Sequence, residues 1–234
     1  MKLDELSLAQ AHRYVLLQSP KIFSYLEHFL KQRRNMHHGQ VNQNVENKWV
    51  VEEFPGWLQQ QVPIMEKHHC DEETVALARG PNSYAKRYKA FMINGFKFHT
   101  KDQEIYRKTQ NSGVVVEVKE GDEENIVKKY YGSIIDIYEL DYYGKGNVVI
   151  FRCDWVNINS SSGLKKDKYG LPLVSFSRLI HTGEALKDDP FVLSTNAKQV
   201  FYVQDGKESE WMHIVETKPR DLYDMGSNLE EGFI

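Results

Sequence analysis

Residues 91–98 read Phe91-Met92-Ile93-Asn94-Gly95-Phe96-Lys97-Phe98. Two short β-prone runs flank the central Asn94-Gly95 pair. Both central residues of a type I′ turn need positive φ, which Asn and Gly adopt at low cost, so the stretch predicts a two-residue β-hairpin. Before the hairpin, apolar residues recur at helical spacing, and after it they alternate. We therefore expect a helical part that ends near residue 82 and a β-rich part that follows.

The sequence before the hairpin predicts five helices. Ser19 and Pro20 begin one of them, because serine is a favoured N-cap and proline is tolerated at the first helical position. Its apolar residues then fall on one face: Ile22, Tyr25, Leu26, Phe29 and Leu30. The other helices are residues 4–18, two short helices within 45–62 separated by a kink at Pro55-Gly56, and a helix that opens at 71–73 and stops at Gly80-Pro81.

The sequence after the hairpin predicts strands joined by turns rich in Gly, Asn and Asp. Two strands are long, 131–142 and 148–156, and the shorter ones are 114–118, 172–176, 191–193, 199–204 and 211–215. Many short strands with few helices indicate a small barrel or sandwich. The predicted fold is α+β: a helical N-terminal part followed by a mainly antiparallel, β-rich domain with a small SH3-like, partly open barrel.

We divide the chain into four segments on this basis. They are a helical region at 1–82, a basic β-hairpin connector at 83–125, a barrel-like domain at 126–220 and a C-terminal tail at 221–234.

Composition excludes several classes of protein. The chain has 234 residues, 41% of them hydrophobic, with two cysteines and a formal net charge of −3, unlike a disordered tail, a collagen-like chain or a disulfide framework. No apolar run approaches the roughly 18 residues of a membrane span. Asp4 and Glu5 stand where a signal peptide would have its apolar stretch. We expect an intracellular protein without a membrane partner.

The net charge hides a local concentration of bases. Residues 79–108 contain only two acidic residues but eight basic ones: Arg79, Lys86, Arg87, Lys89, Lys97, Lys101, Arg107 and Lys108. Tyr and Phe residues are interleaved with them, a pattern typical of surfaces that neutralise phosphates and stack bases. We interpret this stretch as a candidate nucleic-acid contact. The alternative is that the aromatic residues form the hairpin core while the lysines are merely its solvated face.

A second aromatic group lies near the ends of the two long strands and includes Tyr131, Tyr142, Tyr143 and Trp155. Such rings can form a cage for a methylated lysine through cation–π attraction, which would make the protein a chromatin reader. The alternative is ordinary core packing.

The sequence offers little for catalysis. Asp136 and Asp154 on the long strands could hold magnesium for strand cutting, and the His37-His38 and His68-His69-Cys70 groups could bind zinc, but their spacing is unlike that of a zinc finger. Cys153 alternates with Phe151 and Trp155, which indicates a buried residue rather than a nucleophile. No phosphate loop, Rossmann glycine pattern or Ser nucleophile motif occurs.

Several motifs, in this order along the chain, resemble a known family. They are Ala11-His12-Arg13-Tyr14-Val15-Leu16, Ala78-Arg79-Gly80-Pro81, residues 93–100, 109–114, 131–142 and 151–156, Asp189-Pro190-Phe191-Val192-Leu193 and residues 199–203. Together they resemble the C-terminal region of plant CACTA-type (En/Spm) transposon proteins. Residues 1 to about 35 look like the end of domain of unknown function 4218, and about 130 to 205 look like most of domain of unknown function 4216.

The resemblance implies a transposon-derived, nuclear protein whose chain begins inside the first of these domains. In such proteins the strand-cutting carboxylates lie in an upstream RNase H-like region, which no segment here matches. We therefore expect a non-catalytic accessory module that contacts DNA or a protein partner, with no catalytic residue, metal or cofactor. The alternative is a transposon remnant without a selected activity. The oligomeric state stays open.

Overall fold

The computed structural model describes residues 1–65, 71–105, 109–119, 127–206 and 210–219. Its helices are α1 (Glu5–Gln18), α2 (Pro20–Met36), α3 (Gln43–Glu52), α4 (Phe54–Met65), α5 (Glu72–Arg79) and α6 (Lys101–Glu104). Its strands are β1 (Lys86–Tyr88), β2 (Ala90–Ile93), β3 (Phe96–His99), β4 (Gly113–Lys119), β5 (Val127–Asp141), β6 (Asn147–Val156), β7 (Leu164–Lys166), β8 (Pro172–Val174), β9 (Leu179–Ile180), β10 (Phe191–Leu193), β11 (Lys198–Gln204) and β12 (Met212–Glu216).

The predicted fold class is confirmed. A helical N-terminal part is followed by an antiparallel sheet that curls into a half-barrel; of the residues that the structure describes, 34% are helical and 34% are in strands. The zinc-ligand candidates at 68–70, the bases Arg107 and Lys108, and the tail at 221–234 lie outside the described residues. No helix in the described part of the chain is long and apolar enough to cross a membrane.

Local signals in the sequence account for the helix ends. Asp4 caps α1 by accepting a hydrogen bond from the Ser7 amide, and Asp71 caps α5 in the same way from Glu73. Gly80 ends α5 with φ 91°, a conformation that glycine adopts without strain. The kink predicted at Pro55-Gly56 occurs two residues earlier, at Glu53. Pro55 lies in the first turn of α4, where its missing amide hydrogen removes no helical bond.

The hairpin at residues 91–98 forms as predicted. Strands β2 and β3 pair antiparallel, with Phe91 opposite Phe98 and Met92 opposite Lys97. Asn94 and Gly95 have φ of 52° and 75°, as a type I′ turn requires.

The main sheet has the strand order β10-β6-β5-β4-β11-β12-β8-β7, with β1 beside β5 and β9 beside β6. Strands β4 and β5 pair over seven positions, from Gly113 opposite Ser133 to Lys119 opposite Val127. The sequence does not predict the short strands β1, β7 and β9.

The chain folds into two compact units that are not continuous in sequence. The first unit comprises Met1–Lys86, Tyr138–Ile150 and His181–Phe191, and the second unit comprises Arg87–Ile137, Phe151–Ile180 and Val192–Ile234. The core of the first unit includes Leu16, Phe29, Phe54, Leu58 and Tyr142. A core cluster of the second unit contains Val115, Tyr131, Val156, Val174, Val200 and Tyr202. The predicted boundaries at residues 82 and 125 divide the chain into consecutive segments, whereas each compact unit is built from three segments that are separated in the sequence.

Candidate nucleic-acid interface

Three of the eight predicted bases have partners within their own unit. In the first unit, the Arg79 guanidinium lies 3.8 Å from the ring centroid of Tyr143, and Lys86 Nζ lies 2.8 Å from Glu139 Oε1. In the second unit, Arg87 Nε donates to Asp136 Oδ1 at 2.6 Å. Since a phosphate would have to compete with these partners, Arg79, Lys86 and Arg87 are poor anchors for nucleic acid.

Three other predicted bases have no carboxylate partner among the described residues, although Lys101 Nζ lies 5.9 Å from the centroid of the Phe176 ring. Lys89 precedes β2, Lys97 lies on β3 and Lys101 begins α6. Within the described part of the chain none of the three makes an ion pair, and Lys89 and Lys101 are exposed. We call these three lysines the hairpin surface. They all belong to the second unit.

The two faces of the hairpin differ. The phenylalanine face is packed: Phe98 is fully buried and its ring centroid lies 5.0 Å from that of Phe151. The opposite face carries Met92, which is 61% exposed, together with Lys97. Phe91, Phe96 and Phe98 therefore pack as the core of the hairpin, as the alternative interpretation expected, and the lysines are left to make any outside contact.

Hydrogen bonds hold the hairpin in place. The Asn94 side-chain amide donates to the Thr195 carbonyl at 3.2 Å, and the Gln199 side-chain amide donates to the Lys97 carbonyl at 2.7 Å. The Thr100 amide donates to the Lys89 carbonyl at 3.1 Å. Because the backbone at Lys89 and Lys97 is anchored, the two side chains project from fixed positions on the hairpin.

A cleft of about 320 Å³ opens beside Lys97. It is bounded by β3, the segment before β4, strand β11, and the end of β12 with the residues that follow it, all within the second unit. We call it the β3–β11 cleft. Lys218 lies at its edge and, like Lys97, makes no ion pair with a described residue. Glu216 also lines the cleft, but its carboxylate is held by Lys129 Nζ at 2.5 Å, and this contact raises the pKa of Lys129.

Sequence reasoning did not connect Asn111, Gln199 and Lys218 with the hairpin, because 88 residues separate the first two and only the tertiary fold brings them together. A signal was nevertheless present. Residues 93–100, 109–114 and 199–203 are three of the motifs on which the family resemblance rests, and all three contribute to the lining of the β3–β11 cleft.

A larger cleft of about 650 Å³ lies in the first unit, between α1, α3 and the loop before β10. Most charges at its edge are paired: Arg13 with Asp189 at 3.0 Å, and Lys48 with Glu52 at 3.9 Å. Paired charges offer little attraction to a polyanion, so this cleft is a weaker candidate for binding nucleic acid.

The four residues of the predicted aromatic cage are divided between the units. Tyr131 and Trp155 belong to the second unit and are 5% and 6% exposed, and burial raises the pKa of Tyr131. Tyr142 belongs to the first unit and is 2% exposed, while Tyr143 is exposed beneath the Arg79 guanidinium. A methyl-lysine cage needs open ring faces, whereas three of these rings are used in packing.

The carboxylate and thiol candidates have other roles. Asp136 is bound by Arg87, and the described residues contain no group of three His, Cys, Asp or Glu side chains placed to hold a metal ion. Cys153 is a buried free thiol, and burial raises its pKa well above the ordinary value, so the unreactive thiol is the stable form.

Comparison with known proteins supports part of the resemblance. Residues 138–215 match the family model described as a domain of unknown function, DUF4216. No curated protein and no solved structure matches the chain. The matched segment overlaps most of the region predicted to be the second transposon-associated domain, about 130 to 205, and it contributes strands to both compact units. The preceding domain of unknown function 4218, the CACTA relationship and the plant origin stay predictions. Over residues 138–215, therefore, the chain contains a DUF4216 domain.

Proposed function

We propose that this chain is a non-catalytic interaction module, derived from a transposase-like protein, that binds nucleic acid through the hairpin surface of Lys89, Lys97 and Lys101. One observation carries the proposal. Apart from Arg79, whose guanidinium lies against the Tyr143 ring, these three are the described bases of the predicted stretch without a carboxylate partner. Lys89 and Lys97 flank or lie on one anchored hairpin, and Lys101 follows it directly at the start of α6. A DNA partner would place the protein in the nucleus, in accord with the transposon resemblance.

The energetics favour these lysines over the paired bases. A lysine without a partner can neutralise a phosphate and release its counterions without first breaking an ion pair. Arg87 would have to leave Asp136, which is only 9% exposed, and the buried carboxylate would lose its partner. The proposed contact therefore uses fewer residues than the eight bases of the sequence pattern. Arg107 and Lys108, which follow α6 in the chain, remain part of the prediction.

The test is a titration of terminal-repeat and random DNA across a salt series, followed by fluorescence anisotropy. Each lost phosphate contact reduces the slope of log K against log salt by about 0.9. The triple variant Lys89→Ala, Lys97→Ala and Lys101→Ala should bind more weakly, with a slope less steep by about 2 to 3. Discrimination between the two DNAs would indicate base readout in addition to phosphate contacts.

The matched control is the triple variant Lys31→Ala, Lys166→Ala and Lys168→Ala. These three lysines are also exposed and make no ion pair within the described residues, so the change in net charge is the same while the hairpin is intact. It should keep the wild-type slope. Two outcomes would contradict the proposal. One is a wild-type protein that binds neither DNA, as expected of a remnant without activity, and the other is the same loss of affinity in both triple variants.

The chromatin-reader alternative has less support, because Tyr131, Tyr142 and Trp155 are packed in the cores of their units. A peptide array that showed a preference for methylated histone tails would restore it.

A further inference from the structure

The β3–β11 cleft has a chemically selective lining. Six of its residues matter for recognition: Lys97, Asn111, Gln199, Phe201, Thr217 and Lys218. Its volume, about 320 Å³, lies at the lower end of the roughly 300–1,000 Å³ range of small-molecule sites. The space suits one flat ring with its attached sugar rather than a stacked base pair.

Two side-chain amides of the cleft present acceptor oxygens. Gln199 donates from Nε2 to the carbonyls of Lys97 and Asn111, at 2.7 and 3.5 Å. Asn111 Nδ2 lies 3.2 Å from His99 Nδ1. These contacts use the amino ends of both amides, while Gln199 Oε1 and Asn111 Oδ1 accept no hydrogen bond from a described residue. Both residues are only 8% exposed, and a ligand that brought N–H donors into the cleft could pair with these two acceptor oxygens.

The other lining residues restrict the ligand further. Lys97 and Lys218 are cations without carboxylate partners among the described residues, while the only carboxylate that lines the cleft within those residues, that of Glu216, is bound by Lys129. The half-buried ring of Phe201 adds an aromatic surface. A planar ring with N–H donors on an anionic backbone is the chemistry of a nucleobase that carries an exocyclic amino group.

We propose that the β3–β11 cleft receives one unstacked base of a single-stranded nucleic acid, with its amino group at Asn111 and Gln199 and its ring at Phe201. This inference rests on the proposed function and adds the class of nucleic acid. In a duplex, the same amino group is paired and the base is stacked on its neighbours, so the base cannot enter the cleft. Stacking on an aromatic side chain is sequence-tolerant, whereas the two acceptors favour adenine, cytosine and guanine over thymine.

The experiment compares the affinity of the full chain for a short single-stranded DNA and for its duplex. We expect the wild-type protein to bind the single strand about tenfold more tightly, the effect of one stacked base. Phe201→Leu should lose most of that preference but keep the duplex affinity and its salt slope. The control is Val203→Ala on the same strand, since Val203 is 52% exposed and is not part of the cleft lining. Thermal unfolding shows whether each variant is folded.

A second readout reports the base itself. An oligonucleotide that contains 2-aminopurine, a fluorescent base with an exocyclic amino group at C2, should change fluorescence on binding to the wild-type protein and to Val203→Ala, but much less on binding to Phe201→Leu. Oligo-dC should bind more tightly than oligo-dT.

The outcomes separate the two proposals. Absence of binding to any DNA would overturn the proposed function. Equal affinity for single strand and duplex, unchanged in Phe201→Leu, would overturn the cleft inference and leave the hairpin surface intact.

Discussion

The Nδ1 atom of His12, on α1, lies 3.3 Å from the hydroxyl oxygen of Tyr142, the residue that follows β5. Burial lowers the pKa of His12 to about 4 and raises that of Tyr142. Both groups are therefore neutral at pH 7. Gly80 lies beside this pair, since a Cβ atom added there would stand 3.5 Å from His12 Nε2. Three motifs that lie far apart in the sequence meet at this point in the core of the first unit.

The His12 contact predicts that stability falls in mild acid. In the unfolded chain His12 takes up a proton near pH 6.5, whereas in the folded protein it does so only near pH 4. Between these values the unfolded state binds more protons, so the free energy of unfolding decreases as the pH falls, by up to about 3 kcal/mol. Urea unfolding at a series of pH values between 7 and 4 measures the effect.

The variant His12→Gln should flatten this dependence, because glutamine does not titrate. His38→Gln is the control: His38 is exposed, so the wild-type slope should persist. Some carboxylates have a pKa lowered by a basic partner, such as Glu46 beside Arg34 and Glu117 beside Lys198. Their protonation weakens the fold at the acid end of the series, and it does so equally in the wild type, His12→Gln and His38→Gln. The same slope in His12→Gln as in the wild type would refute the assignment.

Arg13 on α1 holds the loop that precedes β10. Its guanidinium is nearly buried and donates to the Leu186 carbonyl, to the Asp188 carbonyl at 2.6 Å and to the Asp189 carboxylate at 3.0 Å. We expect Arg13→Leu to lower the free energy of unfolding by about 2–4 kcal/mol, because three acceptors lose their donor. Denaturant unfolding measures the loss, and trypsin cleavage after the exposed Lys187 should become faster.

Asp189→Asn is the matched control for Arg13. The Asp189 side chain is 40% exposed and asparagine keeps an acceptor oxygen, so the cost should stay below about 1 kcal/mol. Equal losses in both variants would show that the ion pair, rather than the two backbone carbonyls, holds the loop.

Local features of this fold were predictable from the sequence, and the pairing of charges was not. The Asn94-Gly95 turn and the caps at Asp4 and Asp71 depend on residues within one turn, so their patterns are visible in the chain. Asp136, the partner of Arg87, is 49 residues away in the sequence. The basic stretch alone therefore gave no sign that the charge of Arg87 is already paired. The β3–β11 cleft joins Lys97 to Gln199 across 102 residues. Such contacts depend on strand order, which no local pattern specifies.

Close packing at Gly132 predicts a large effect of one methyl group. A Cβ atom at Gly132 on β5 would stand 2.7 Å from the Trp155 ring and 3.1 Å from the Asp154 carbonyl oxygen. Gly132→Ala should therefore cost about 1–3 kcal/mol of unfolding free energy, because a buried ring and backbone must move. The midpoint of thermal unfolding measures the loss of stability, and the near-UV circular dichroism of the tryptophans reports the change in packing around Trp155.

Gly56 supplies the opposite case. It lies in α4, with no atom within 4 Å of a Cβ added there. Gly56→Ala should raise the free energy of unfolding by about 0.5–1 kcal/mol, since alanine loses less backbone entropy in a helix. If both alanine variants were destabilising to the same degree, the close approach of Gly132 to Trp155 would not be the cause.

The thiol of Cys153 should be inert in the folded protein. It is 1% exposed on β6, and burial together with the nearby charge of Asp154 raises its pKa. Only the thiolate attacks a disulfide reagent, so both access and ionisation oppose the reaction. In a Cys70→Ser background, which leaves Cys153 as the sole cysteine, a thiol reagent at pH 8 should react only as fast as the protein unfolds, and immediately in denaturant. Rapid reaction of the folded protein, at a rate that rises with reagent concentration, would show instead that β6 opens locally and exposes the core of the second unit.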